Sequence, residues 1–153
     1  MSELTRIVKL FADLQHGDCW IGTNFKEALH AVTAEQAAAA TINIANTIWQ
    51  LVAHVTYWRT VVNIRLNGTT DLPPFQDFRL PEVQDDITWK QAIHDLETSY
   101  HVLRNTLLHF KEENLDKPSP RPEQTYYHLI MGCLQHDAYH LGQIVLLKKQ
   151  AIT

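Results

Sequence analysis

Three histidines of this chain stand where they can share one ion. His136 and His140 lie four apart in the run HDAYHLGQIVLLKK, and His54 lies in the apolar run WQLVAHVTYW. Both runs read as helix. Positions i and i+4 stack on one helix face, so two imidazoles at that spacing can close on a single cation. A third from a facing helix completes a three-histidine set with open coordination positions, which a catalytic metal needs and a structural one does not. An ion held this way can activate a bound water near neutral pH, or hold a substrate thiol as thiolate. Three neutral imidazoles suit Zn, Ni, Fe(II) or Co, and ligand type alone does not choose among them.

The neighbours of the pair sharpen the picture. Asp137 gives His-Asp-x-x-His, similar to the His-Glu-x-x-His helix whose acid is a general base. Aspartate is one methylene shorter and would reach a bound water poorly, so a surface or ligand-supporting place is favoured over catalysis. Gln143, one turn past His140, either holds a bound water or substrate or is a polar residue near the bundle end. Asp137 and Gln143 are thus the candidates for catalysis. Cys133 makes Cys-x-x-His-x-x-x-His a conceivable ligand set, but cysteine is among the most buried residue types and core packing is favoured. Gly132 and Gly142 each weaken a helix by ~1 kcal/mol relative to Ala. Room for a ligand beside His136, or close helix packing, accounts for them.

Against the metal stands a plainer alternative, three hydrogen-bonded core histidines, since unpaired buried polar groups are costly. The other histidines carry no such pattern. His128 is two turns from His136, ~12 Å away. His94 and His101 share a face with Glu97, Thr98 and Arg104, which marks it as solvated. His16, His30 and His109 have no partner pattern. Glu27 and His30 form one copy of the Glu-x-x-His unit of di-iron bundles, in a loop-like stretch without partner glutamates. Tyr126, Tyr127 and Tyr139 read as packing or dimer residues, and no Gly-rich phosphate loop or nucleophile elbow appears.

Four helices must position these residues. Leu4, Ile7, Val8, Phe11 and Leu14 follow helical spacing, and Gly17 closes that helix. A loop with Trp20, Phe25 and Leu29 follows. Thr33 and Gln36 form a capping box, so the second helix starts there or at Thr41 and runs to Asn67-Gly68. Its stripe is Ile44, Ile48, Leu51, Val55, Trp58 and Val62. Residues 68–87, with Pro73, Pro74 and Pro81, are a connection. Thr88 and Gln91 open the third helix, which carries Ile93, Leu96, Tyr100, Leu103, Leu107 and Phe110 and breaks in KEENLDKPSPRP. The fourth opens at Pro122 or Thr125 and runs to about Lys149, with Lys148 and Lys149 suited to its negative end. Its stripe is Leu129, Gly132, Cys133, His136, His140, Gln143 and Leu147.

No strand signal appears, so the fold class is all-α, a four-helix bundle. The connection can extend to ~65 Å at ~3.3 Å per residue, while a helix from Thr41 to Leu66 spans only ~39 Å. The chain can therefore return along the whole bundle, which favours an up-down-down-up order. Counted from Thr41 and Thr125, His54 and the midpoint of the pair both lie ~20 Å along their helices, so their depths match. Burial among Leu51, Trp58 and Val61 would keep His54 neutral, the form that binds metal.

The chain has 153 residues, 45% hydrophobic, which suits a single domain over residues 1–153 with a real core. Net charge is −4, and Lys and Arg do not cluster, so neither nucleic acid nor a membrane surface is an expected partner. Cys19 and Cys133 are too few for a disulfide framework, and the N-terminal run does not read as a signal peptide. No apolar run approaches ~20 residues. The expected place is the reduced cytoplasm.

The runs HDAYHLGQI and WQLVAHVTYW, with the helix pattern and the long crossover, resemble the DinB family of four-helix bundles, which includes YfiT-like proteins and thiol-dependent transferases. The resemblance covers nearly the whole chain. It implies that His54, His136 and His140 bind a divalent metal, that the protein is a homodimer, and that it acts on a small-molecule substrate. The implied activities are transfer or isomerisation with a low-molecular-weight thiol such as mycothiol, bacillithiol or glutathione, or metal-dependent hydrolysis. A non-catalytic metal-binding stress-response dimer is the alternative. Family members often carry Arg after the second histidine of the pair. Here it is Leu141, so an anion contact from that position is not expected.

Overall fold

The computed structural model describes residues 1–40 and 46–151. Every regular element among them is helical: α1 (Glu3–His16), α2 (Phe25–Leu29), α3 (Ala34–Ala38), α4 (Ile48–Leu66), α5 (Asp86–His109), a 3-10 turn (Glu112–Asn114) and α6 (Tyr126–Ala151). Four of these are long, as expected for the all-α class.

Local signals explain the boundaries, and some differ from expectation. Ser2 caps α1 by accepting from Thr5 N–H, and the helix ends at Gly17. The stretch expected as loop contains α2, whose first turn is capped by Asn24 accepting from Glu27 N–H. The Thr33–Gln36 box is present, but α3 ends at Ala39, which turns to extended backbone. A second box, Thr47 with Gln50, starts α4 afresh. A helix running on from Thr33 is therefore corrected to two helices, because Thr47 satisfies the donors of a new first turn. The alternative start at Thr41 and the stripe residue Ile44 lie outside the described residues. The box that opens α5 is Asp85 with Thr88, not Thr88 with Gln91. An acid at that cap also complements the positive helix end.

The long helices pair in defined senses. Along α4 and α5, Trp49 meets Trp89, Arg59 meets the Leu96 carbonyl, and Asn63 meets Thr106, so the two advance together. Along α4 and α6 the order reverses, with His54 near His140 and Arg59 bonded to Asp137. α1 runs against α5, with Gln15 bonded to Glu97 and Leu4 and Val8 near Leu107. α4 and α5 thus run in one sense, and α1 and α6 each run against a member of that pair.

The core divides into two apolar clusters. One gathers Leu14, Trp49, Val55, Leu96, Leu141 and Ile144; the other gathers Phe11, Val62, Leu103, Leu107 and Ile130. Between them lies a polar layer. Arg59 stands between Val55 and Val62 on α4, Asp137 stands between Ile130 and Leu141 on α6, and Gln15 follows Leu14 on α1. Arg59 and Asp137 are each 0% exposed. One guanidinium serves the whole layer: Nε donates to Asp137 Oδ2 at 2.7 Å, and Nη1 donates to Gln15 Oε1 at 2.8 Å and to the Leu96 carbonyl at 3.4 Å. It also lies over the Phe25 ring. Arg59 thereby ties α4 to the other three long helices. The expectation of a surface position for Asp137 is corrected accordingly.

Candidate metal centre

The three sequence-predicted histidines come together. One ring nitrogen from each of His54, His136 and His140 lies within 4.8 Å of the other two. The ring centroids are 4.4 to 4.9 Å apart. Two ligands of a tetrahedral ion with metal–nitrogen bonds of about 2.1 Å stand about 3.4 Å apart. The His54 and His136 Nε2 atoms are 3.0 Å apart. The depths match less closely than the count from Thr41 gives. His54 lies in the second turn of α4, because α4 starts at Ile48, whereas the pair lies near the middle of the longer, oppositely directed α6.

Two of the rings are held from behind. His54 Nδ1 lies 2.7 Å from Asp77 Oδ1, on the crossover. A carboxylate accepts, so Nδ1 carries the proton and Nε2 keeps its lone pair. Asp77 Oδ1 also accepts from Phe78 N–H at 2.8 Å. The Phe78 ring stacks on His54 with centroids 3.8 Å apart. Phe78 has φ +50°, a left-handed conformation that costs a bulky residue about 1–2 kcal/mol, and strain of this kind collects where structure serves a site. His140 Nδ1 lies 2.7 Å from Gln143 Oε1, and Gln143 Nε2 donates to Tyr139 Oη at 3.2 Å. Gln143 is therefore placed behind a histidine ring rather than at the bundle end.

The third ring differs. His136 Nδ1 is buried without a hydrogen-bond partner, as is Asp137 Oδ1, and the two atoms are 3.5 Å apart.

Electrostatics favour lone pairs over charge. Burial lowers the His54 pKa, although Asp77 opposes this by hydrogen bond and charge. Burial brings His140 down to about 4, against an opposing hydrogen bond from Gln143. Both rings are neutral at pH 7. Neutral imidazoles with inward lone pairs and outward N–H donors are what a divalent ion takes as ligands, so the donor set fits such an ion.

Cys133 stands apart from this group, in the apolar cluster with Leu129 and Ile130. Burial, with the Asp137 charge adding to it, pushes its thiol well above the ordinary range. A Cβ added at Gly132 or Gly142 meets nothing within 4 Å, so close helix packing explains neither glycine. Open space does lie beside Gly132. His94, His101 and His128 are exposed, and His101 pairs with Glu97 at 3.0 Å. His16 packs edge-on against Tyr100, and His109 Nδ1 bonds the Asn105 carbonyl. Lys148 donates to the Glu27 and His30 carbonyls at the end of α2.

Sequence reasoning missed Arg59, Asp77 and Phe78. Arg59 had a signal: it interrupts the buried line Val52, Val55, Val62, Leu66 at helical spacing. Asp137 likewise interrupts Ile130, Leu141 and Ile144. A charge of each sign on two core lines announces a buried pair. Asp77 and Phe78 lie in an irregular connection, where no period speaks for them.

Residues 20–144 match the model of the family described as the DinB superfamily. No curated protein matches the chain.

Proposed function

The chain belongs to the DinB superfamily, and from that membership and the histidine geometry we propose that it is a metal-dependent enzyme whose divalent ion is held by His54, His136 and His140. The observation that carries the reading is the arrangement of donors: three imidazole nitrogens within 4.8 Å, two of the rings fixed from behind by Asp77 and Gln143. A divalent ion there supplies Lewis acidity that lowers the pKa of a water or thiol at its open positions.

The chain's own residues have separable tasks. Asp77 and Gln143 hold the Nδ1 protons of His54 and His140, keeping both Nε2 lone pairs inward. Phe78 covers one face of His54 and excludes water from it. Asp137 is buried against Arg59 and does not act as the base. The crossover that supplies Asp77 and Phe78 also walls a cavity of about 230 Å³, lined by Phe75, Arg79, Leu80 and Pro81 and by Trp49 of α4 but by none of the three histidines.

The reaction class we favour is transfer with a low-molecular-weight thiol, with hydrolysis second. We place the protein in the cytoplasm as a homodimer; support for the dimer comes from Tyr139 and Leu146, one heptad apart on α6 and 64% and 62% exposed. The test is a panel of electrophiles offered with several cellular thiols, using metal-loaded and chelator-treated protein. Turnover with one thiol that vanishes on metal removal is expected. Metal binding without turnover anywhere in the panel refutes the thiol-transfer reading.

A further inference from the structure

Two of the three histidines have a hydrogen-bond acceptor behind the ring, and the third has an orphaned nitrogen facing an orphaned oxygen. From this we propose that Asp137, clamped by Arg59, is the positioning residue for His136, and so makes the metal site dependent on the polar layer that joins the four long helices. The inference rests on the metal-site reading above and deepens it.

The geometry runs in a chain. Arg59 Nε holds Asp137 Oδ2 at 2.7 Å. That bond occupies Oδ2 and leaves Oδ1 without a partner, 3.5 Å from His136 Nδ1, while Arg59 Nη2 is buried without a partner as well. Both atoms are buried, and a buried acceptor and a buried donor site left apart each carry a desolvation cost. The gap slightly exceeds hydrogen-bond range, and a small turn of the His136 ring closes it. In that position Nδ1–H donates to Oδ1 and the Nε2 lone pair turns toward His54 Nε2, now 3.0 Å away. His136 then matches its two neighbours, each with Nδ1 anchored and Nε2 inward.

The other groups around Asp137 make it an anchor rather than a base. Both its carboxylate oxygens are buried. One is committed to Arg59, and Arg59 is itself fixed by Gln15 of α1 and the Leu96 carbonyl of α5. A shift of α1 or α5 against α4 moves the guanidinium, and through it the carboxylate behind His136. The site is thus coupled to bundle packing through one side chain.

The experiment reads Co(II) affinity and the Co(II) absorption spectrum on the full chain, for wild type, Asp137→Asn and Ile130→Val, a packing control on the same buried line of α6. Loss of an anchor behind a ligand histidine weakens metal binding by about tenfold to a hundredfold. That loss, with a changed Co(II) spectrum, is expected for Asp137→Asn, whereas Ile130→Val, which trims the core without touching a ligand ring, is expected to leave both unchanged. An equal loss in both variants assigns Asp137 a general packing role and overturns the proposal. Unchanged affinity in Asp137→Asn overturns it too, while leaving the three-histidine site standing. Wild-type protein that takes up no Co(II) defeats the site itself. Should Asp137→Asn fail to fold, ¹⁵N NMR of the wild-type Zn-loaded chain decides. The expected spectrum shows His136 bound through Nε2 with a strongly deshielded Nδ1 proton; metal at Nδ1, or an Nδ1 proton without that shift, rejects the anchor.

Discussion

Arg59 and Asp137 form an ion pair at 2.7 Å with neither side chain exposed to solvent. Breaking a buried pair by removing one member leaves a charge without compensation, at about 3–5 kcal/mol. Arg59→Met and Asp137→Ala are each expected to lose that much in urea unfolding of the metal-free protein. The double replacement is expected to be milder than the two losses added together. Additive losses would show that the two side chains do not act as a pair.

The two cysteines should differ in reactivity. The thiolate is the nucleophile, and Cys133 is buried with its thiol pushed well above the ordinary range. Cys19 is only partly buried. A maleimide reagent at neutral pH is expected to add one label to the folded chain and two in denaturant, by intact mass. Rapid double labelling of folded protein contradicts the burial of Cys133.

The metal-free protein should lose stability as pH falls. His140 titrates near 4 when folded, against about 6.5 in an unfolded chain. Below 6.5 the unfolded state binds the proton and the folded state resists it. The contribution is complete above about 6.5, drains away between 6.5 and 4, and changes no further below. His54, also lowered by burial, adds in the same direction. Urea midpoints measured across that window should decline, and His140→Gln should flatten the decline. A slope indifferent to that substitution refutes the assignment.

Gly142 lies exposed inside α6 with nothing near the position of an added Cβ. Ala there should raise stability by about 0.5–1 kcal/mol, the helix-propensity difference. Denaturant melts read this directly, and a loss of stability would point to a partner surface pressed against that glycine.

The histidine pair, the apolar stripes and the all-helical class were legible in the sequence because each depends on helical period alone. α1 and α6 emerged within a few residues of their spacing-based bounds. The start of α4 was not legible from the alanine run after Thr33; what fixes it is the cap at Thr47, where a strong propensity signal upstream draws the eye away. His136 and His140 stood out because i and i+4 on one face is a local relation, and His54 because it interrupts an apolar run. Their supports were harder. Asp77 reaches His54 across 23 positions, from a segment without period. The Arg59–Asp137 pair spans 78 positions, and each member shows only as a charge on an apolar line.

Metal analysis of protein purified without a polyhistidine tag, in non-chelating buffer, bears most directly on the three-histidine site. Wild-type chain should carry about one divalent ion per molecule, and His54→Ala and His136→Ala should each carry almost none while remaining folded. Equal, near-zero metal in all three would leave His54, His136 and His140 as core histidines and nothing more.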